Sequence, residues 1–110
     1  MIRENIGELE ELVMLIAGAL HPEAYAVVIR KELLDKMNRK VVLSSVHTVL
    51  NRLESKGYLI SEFGEATPER GGKRKRYFTI TQSGLAALKE VRNKREQLFS
   101  DLLNVDFKFQ

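Results

Sequence analysis

Ile6, Leu9, Leu12, Val13, Ile16, Ala17 and Leu20 recur at intervals of three and four, which predicts an amphipathic helix from about Asn5 to Leu20. Asn5 is placed to cap it, with Glu8 three residues on as in a capping box. His21-Pro22 ends it, because the residue before a proline is driven out of the helical region. A second helix is expected from about Pro22 to Met37, with Pro22 in its first turn and Tyr25, Val28, Ile29, Leu33 and Met37 on its apolar face. The β-branched run Val41-Val42-Leu43 predicts one short strand. Ser44 or Ser45 then caps a third helix through about Lys56, stopped by Gly57 in the left-handed position.

Beyond Gly57 the period changes. Tyr58 to Gly64 and Lys75 to Thr81 both read as polar-interleaved strands, and the connection between them carries Pro and Gly, so the pair predicts a hairpin. Thr81 caps a last helix from about Gln82 to Leu103, with Leu85, Leu88, Val91, Leu98, Phe99, Leu102 and Leu103 on its apolar stripe. The expected fold is mainly α with a small β-hairpin (α+β): a winged helix-turn-helix followed by a long C-terminal dimerisation helix. The boundary falls between 1–80, the winged helix, and 81–110, the dimerisation helix and tail.

Charge sharpens this picture. The net charge is only +3, but acidic residues dominate from Met1 to Asp35, and basic residues dominate after it. The densest run is Arg70-Gly71-Gly72-Lys73-Arg74-Lys75-Arg76 on the hairpin, an asymmetry that suits a polyanion on one side. The chain has no Cys, which removes disulfides, thiol chemistry and cysteine zinc sites and fits a cytoplasmic protein. Its longest apolar stretch, Leu12 to Leu20, is far short of a membrane span. His21 and His47 lack carboxylates at ligand spacing, so no metal or cofactor is expected. No nucleophile elbow, P-loop or dinucleotide glycine pattern is present, so the reading is not an enzyme.

The third helix carries the recognition chemistry. Val46, Val49, Leu50 and Leu53 fall on one side of a helical wheel and face a core. Ser44, Thr48, Asn51 and Ser55 fall on the other, flanked by His47 and Arg52. A helix in the major groove needs donors and acceptors for base edges and little negative charge. Ser44, Ser45, His47, Thr48, Asn51 and Arg52 are therefore the candidate contacts of that helix with double-stranded DNA. Arg70, Lys73, Arg74, Lys75 and Arg76 are the candidate contacts of the wing, with Arg76 equally suited to a structural partner in the strand. Taken alone, such a polar face is also what any solvated helix shows, and a basic loop is often only surface. Their adjacency in one motif favours DNA.

The last helix is too long for so small a module to cover. Its stripe, interrupted by Lys94 and Arg95, is expected to pair with a second copy through Leu85, Leu88, Val91, Leu98, Phe99 and Leu102, or to fold back on its own domain.

The run Gly64-Glu-Ala-Thr-Pro-Glu-Arg-Gly-Gly-Lys-Arg-Lys-Arg-Tyr-Phe78, followed by Thr81-x-x-Gly84-x-x-Ala87-Leu88, resembles the wing and the start of the last helix in the PadR family of bacterial regulators, especially its short members. Ser45 to Gly57 resembles that family's recognition helix, and Ala19 through Ile29 its turn into the second helix. Two departures stand out: His47 where the family commonly has Tyr, and no Trp in the last helix. The resemblance implies a cytoplasmic repressor, dimeric through its C-terminal helix and in some members released by a small-molecule effector. A protein–protein adaptor on a winged-helix scaffold and a ligand sensor with its pocket between the terminal helices are the competing readings.

Overall fold

The computed structural model describes residues 6–66 and 74–109. The elements run α1 (Glu8–Ala19), α2 (Ala26–Met37), α3 (Leu43–Ser55), β1 (Leu59–Ala66), β2 (Arg74–Ile80) and α4 (Gln82–Leu103). Four helices and an antiparallel two-stranded hairpin make the α+β, mainly helical winged-helix architecture that the pattern predicts.

Helix α1 opens at Gly7, whose N–H donates to Glu10 Oε1 at 2.9 Å. The expected cap, Asn5, lies outside the described residues, and the reciprocal side chain is Glu10 rather than Glu8. Three glutamates in the first turn meet the positive end of the helix dipole. Val13, Met14 and Ala17 are fully buried.

Helix α2 begins at Ala26, later than Pro22. The reason is tertiary. Glu23 N–H turns back to the Leu20 carbonyl at 2.9 Å, and the Ala24 carbonyl accepts from Phe78 N–H at 2.8 Å. Ala24 thus lies alongside β2 and Tyr25 caps the helix in an extended conformation. Ala26, Ile29 and Leu33 form the buried face, while Met37, expected there, is exposed. Asn38 ends the helix at φ 50°, a left-handed position that Asn tolerates better than most residues.

No strand forms at Val41–Leu43. Val42 is instead the extended N-cap of α3, and its carbonyl accepts from Ser45 N–H at 3.0 Å and Val46 N–H at 3.2 Å. The valines satisfy an extended cap without a pairing partner, and the predicted serine cap moves into the helix. At the other end Gly57 adopts φ 81°. Its N–H reaches the Glu54 carbonyl and Tyr58 N–H the Leu53 carbonyl, both at 3.0 Å, closing a Schellman motif as expected.

In the hairpin Leu59 faces Ile80 and Phe63 faces Arg76, and a bulge follows, with Ala66 next in register against Arg74. Gly64 sits in this bulge, where a Cβ would meet the Tyr77 ring at 2.6 Å. Thr81 caps α4 as predicted, accepting from Gly84 N–H at 3.0 Å. Gly84, Ala87 and Leu88 are buried, so the first turns of α4 complete the core, and the rest projects beyond it. At about 1.5 Å per residue a 22-residue helix spans roughly 33 Å, about half of the 62 Å long axis.

One ion pair locks the base of this core. Lys56 Nζ lies 2.9 Å from Glu10 Oε2, with the two side chains 16% and 8% exposed, joining α1 to the end of α3.

Candidate nucleic-acid interface

Burial of Val46, Val49, Leu50 and Leu53 fixes the rotation of α3. The same rotation turns Ser44, His47, Thr48, Asn51 and Arg52 to solvent and leaves Ser45 half-buried. Thr48 Oγ1 donates to the Ser44 carbonyl at 3.0 Å, which orients its hydroxyl along the helix surface. None of the exposed side chains on this side is acidic.

The wing is tied to that surface through one residue. Arg76 on β2 donates to Asn51 Oδ1 at 3.2 Å, to Ser61 Oγ at 2.9 Å, and to Glu54 Oε1 in a close ion pair. Ser61 Oγ donates in turn to Glu54 Oε2 at 2.6 Å. Its guanidinium also lies 5.0 Å from the centre of the buried Phe78 ring and 5.9 Å from that of the exposed Phe63. Glu54 is the acidic side chain in the body of α3, and Arg76 neutralises it. Arg76 is therefore engaged within the protein, as a cation that holds the hairpin against the helix.

The other wing cations diverge because strand residues alternate in direction. Arg74 points the same way as Arg76, donates to the Gly64 carbonyl at 2.7 Å, and remains exposed. Lys75 points the other way, its ammonium 4.6 Å from the centre of the Tyr25 ring, which itself stands edge-on to Tyr77 at 5.7 Å. Arg70 and Lys73 lie outside the described residues. Arg74 thus sits at the loop end of the hairpin strands, on the same face as Arg76.

Sequence reasoning missed Glu54, Ser61 and Phe63 as the buttress between wing and helix. The available signal was the pairing of Ser61 with Phe78, two positions from Arg76, which puts Ser61 and Arg76 on one face of the hairpin. It also missed a shallow basic depression of about 260 Å³ on the outer side of α2, where Arg30, Lys31 and Lys40 surround Val27, Leu34 and Val41.

Glu10 lies behind this surface. Burial raises its carboxyl pKa, but the Lys56 and Gly7 hydrogen bonds, with the charges of Lys56 and Arg52, outweigh burial and leave it below the ordinary value. Among the described residues no group of three or more His, Asp or Glu side chains could hold a metal ion. No helix among them is long and apolar enough to cross a membrane.

Of the residues assigned to pairing on α4, Leu88 is buried in the core, Val91 is half-buried, and Leu85, Leu98, Phe99 and Leu102 are exposed.

Comparison with known proteins places this geometry. The profile of the transcriptional regulator PadR-like family matches residues 14–90. A PadR family transcriptional regulator from Eggerthella lenta superposes with a TM-score of 0.66 at 31% identity, covering 90% of this chain and 88% of that one. A PadR-like transcription factor from Bacteroides fragilis gives 0.72 at 28% identity, covering 89% of each. A PadR-like regulator from Bacillus cereus shares the fold at a TM-score of 0.67 and 20% identity, over 89% of this chain and 93% of that one. Among curated protein sequences none matches the chain closely enough to count as a relative. With its wing strand tied to the polar side of α3, and with most of its length matched by the family profile, the chain belongs to the PadR-like family of transcriptional regulators, which are DNA-binding proteins and not enzymes.

Proposed function

We propose that the protein is a homodimeric, sequence-specific repressor acting in the cytoplasm, with α3 in the major groove and the wing on flanking backbone. The observation that carries this reading is the Arg76 bridge, which joins the hairpin to Asn51 while cancelling the charge of Glu54. Two surfaces that must meet one duplex are thereby held in a fixed relation, and the acidic group between them is silenced. Asn51 and Arg52 are suited to adenine and guanine edges. Ser44, Ser45, His47 and Thr48 are suited to phosphates or bases, and Arg70, Lys73, Arg74 and Lys75 to the backbone.

Dimerisation is supported by the projecting half of α4, where Leu98, Phe99, Leu102 and Leu103 are exposed. So continuous an apolar stripe is expected to be covered by a second copy. A two-fold dimer presents two recognition helices, which on one face of B-DNA read half-sites about 34 Å apart or a multiple of that. The winged helix then comprises residues 1–80 and the pairing helix 81–110, the first turns of α4 serving both. Repression follows when the bound dimer occludes polymerase, and a small-molecule effector that changes the spacing of the α4 helices relieves it.

Selection of oligonucleotides from a random pool, followed by titration at several salt concentrations, tests the proposal. A two-fold-symmetric motif bound with affinity that falls steeply with salt is expected. A folded protein that enriches no sequence would refute it and favour the adaptor reading, in which partner capture depends on α4 alone.

A further inference from the structure

Arg74 and Arg76 stand on one face of β2 and lie over the same ring, that of Phe63, whose centre is 5.5 Å from the first guanidinium and 5.9 Å from the second. Their hydrogen bonds differ. Arg76 is fully engaged inside the protein: its Nε donates to Ser61, its Nη1 to Asn51 and its Nη2 to Glu54. Arg74 donates from Nε to the Gly64 carbonyl at 2.7 Å and from Nη2 to the Phe63 carbonyl at 3.4 Å. Its Nη1 has no partner among the described residues. We propose that Phe63 and the bulge beside it form a cradle that presets Arg74 as a phosphate clamp, with Phe63 as the positioning residue, an inference that rests on the DNA-binding reading above.

A guanidinium is flat and carries its five N–H donors in a fixed fork geometry. The edge that includes Nε grips the two carbonyls. The edge formed by Nη1 and the second N–H of Nη2 is left over. Paired donors of this kind match the two non-bridging oxygens of a phosphodiester. An arginine free in solvent loses rotamer freedom when it takes up a phosphate, whereas this one has already lost much of it on folding.

The hairpin register explains why the cation keeps its charge. Phe63 pairs with Arg76, so an unbroken ladder would set Arg74 opposite Glu65 and invite a neutralising cross-strand pair. The bulge sets Arg74 opposite Ala66 instead, and no ion pair joins it to Glu65 among the described residues. A bulge re-aims the side chains beside it, and here the partners it supplies are uncharged carbonyls. Phe63 is 57% exposed, so burial in the core does not account for its ring. A guanidinium within about 6 Å of an aromatic centre does.

The test uses the full chain and a fluorescent duplex carrying the selected motif, in a cycle of Phe63→Leu and Arg74→Ala read by anisotropy. Phe63→Leu is expected to weaken binding about threefold to fivefold when Arg74 is present and to cost nothing further in the Arg74→Ala chain. Phe63→Tyr keeps the ring and should bind like the unsubstituted protein. Arg74→Lys keeps the charge without the fork and should recover little of the affinity lost in Arg74→Ala. Replacing single phosphates of the duplex with neutral methylphosphonates should reveal a position that matters to the unsubstituted chain and not to Arg74→Ala. The lysine and methylphosphonate comparisons leave Phe63 in place, so they decide even where leucine disturbs the hairpin. Equal losses from Phe63→Leu in both backgrounds, lysine serving as well as arginine, or no such phosphate would overturn the clamp and leave DNA binding intact. An unsubstituted chain that binds no duplex overturns the clamp together with the reading beneath it.

Discussion

The guanidinium of Arg76 reaches from the second strand of the hairpin to the side-chain oxygen of Asn51 on α3, 3.2 Å away, while holding Glu54 one turn further along. Two elements twenty-five residues apart in sequence therefore share one polar contact on the candidate DNA side.

Replacing Arg76 with Ala frees the charge of Glu54 next to where phosphates would lie. Both partners are about a third exposed, so after allowance for solvent screening the loss of folding stability is expected to stay below about 1 kcal/mol. DNA affinity is expected to fall by about tenfold or more, and Glu54→Gln in the same chain should restore part of it. Fluorescence anisotropy on the four proteins of that cycle measures the coupling. If the second substitution recovers nothing, Glu54 is not the source of the loss.

Arg74 is exposed at the loop end of the wing strands, on the same face as Arg76. Arg74→Ala should weaken binding to all sequences alike and reduce the slope of log affinity against log salt by about one. Asn51→Ala should instead leave the slope in place and alter the preferred base. Binding isotherms at four salt concentrations separate the two effects.

A Cβ at residue 84 would overlap the Tyr58 carbonyl oxygen and press on Ile80. Because the obstacle is backbone, it cannot swing aside. Gly84→Ala is expected to destabilise the fold by about 1–3 kcal/mol in urea denaturation, the usual range for overpacking. An unchanged midpoint would mean that α4 shifts freely on the hairpin.

Glu10 has a carboxyl pKa lowered in the folded state by Lys56, Gly7 and Arg52 against the opposing effect of burial. A lowered folded value means that its contribution to stability is fully present above the unfolded carboxylate pKa and is lost as pH falls through the folded one. The protein should therefore lose stability below the ordinary glutamate range, and Glu10→Gln should flatten that acid limb while lowering stability at neutral pH. Thermal denaturation across acidic pH tests both.

Much of this was legible from local signals. The span of α4, its Thr81 cap, the Gly57 stop and the buried side of α3 follow from periodicity and capping chemistry, which act within a few residues. What sequence could not supply were contacts made across the chain. Helix α2 starts late because the Ala24 carbonyl is claimed by Phe78, and Val42 caps a helix because nothing nearby offers it a strand to pair with. The role of Arg76 was open for the same reason. A cation in a basic run looks like its neighbours until the fold reveals an acid beneath it.

Tyr58 and Gly57 carry a consequence for how signals would travel. The Tyr58 carbonyl accepts from Thr81 N–H at 3.0 Å, and the Gly57 carbonyl accepts from Thr81 Oγ1 at 2.7 Å. The foot of the long helix is thus clamped, through Gly57 and Tyr58, to the trailing end of α3. In the proposed dimer such a joint would act as a crank, by which a tilt at the far end of α4 is passed to α3 and changes the separation of the paired reading heads.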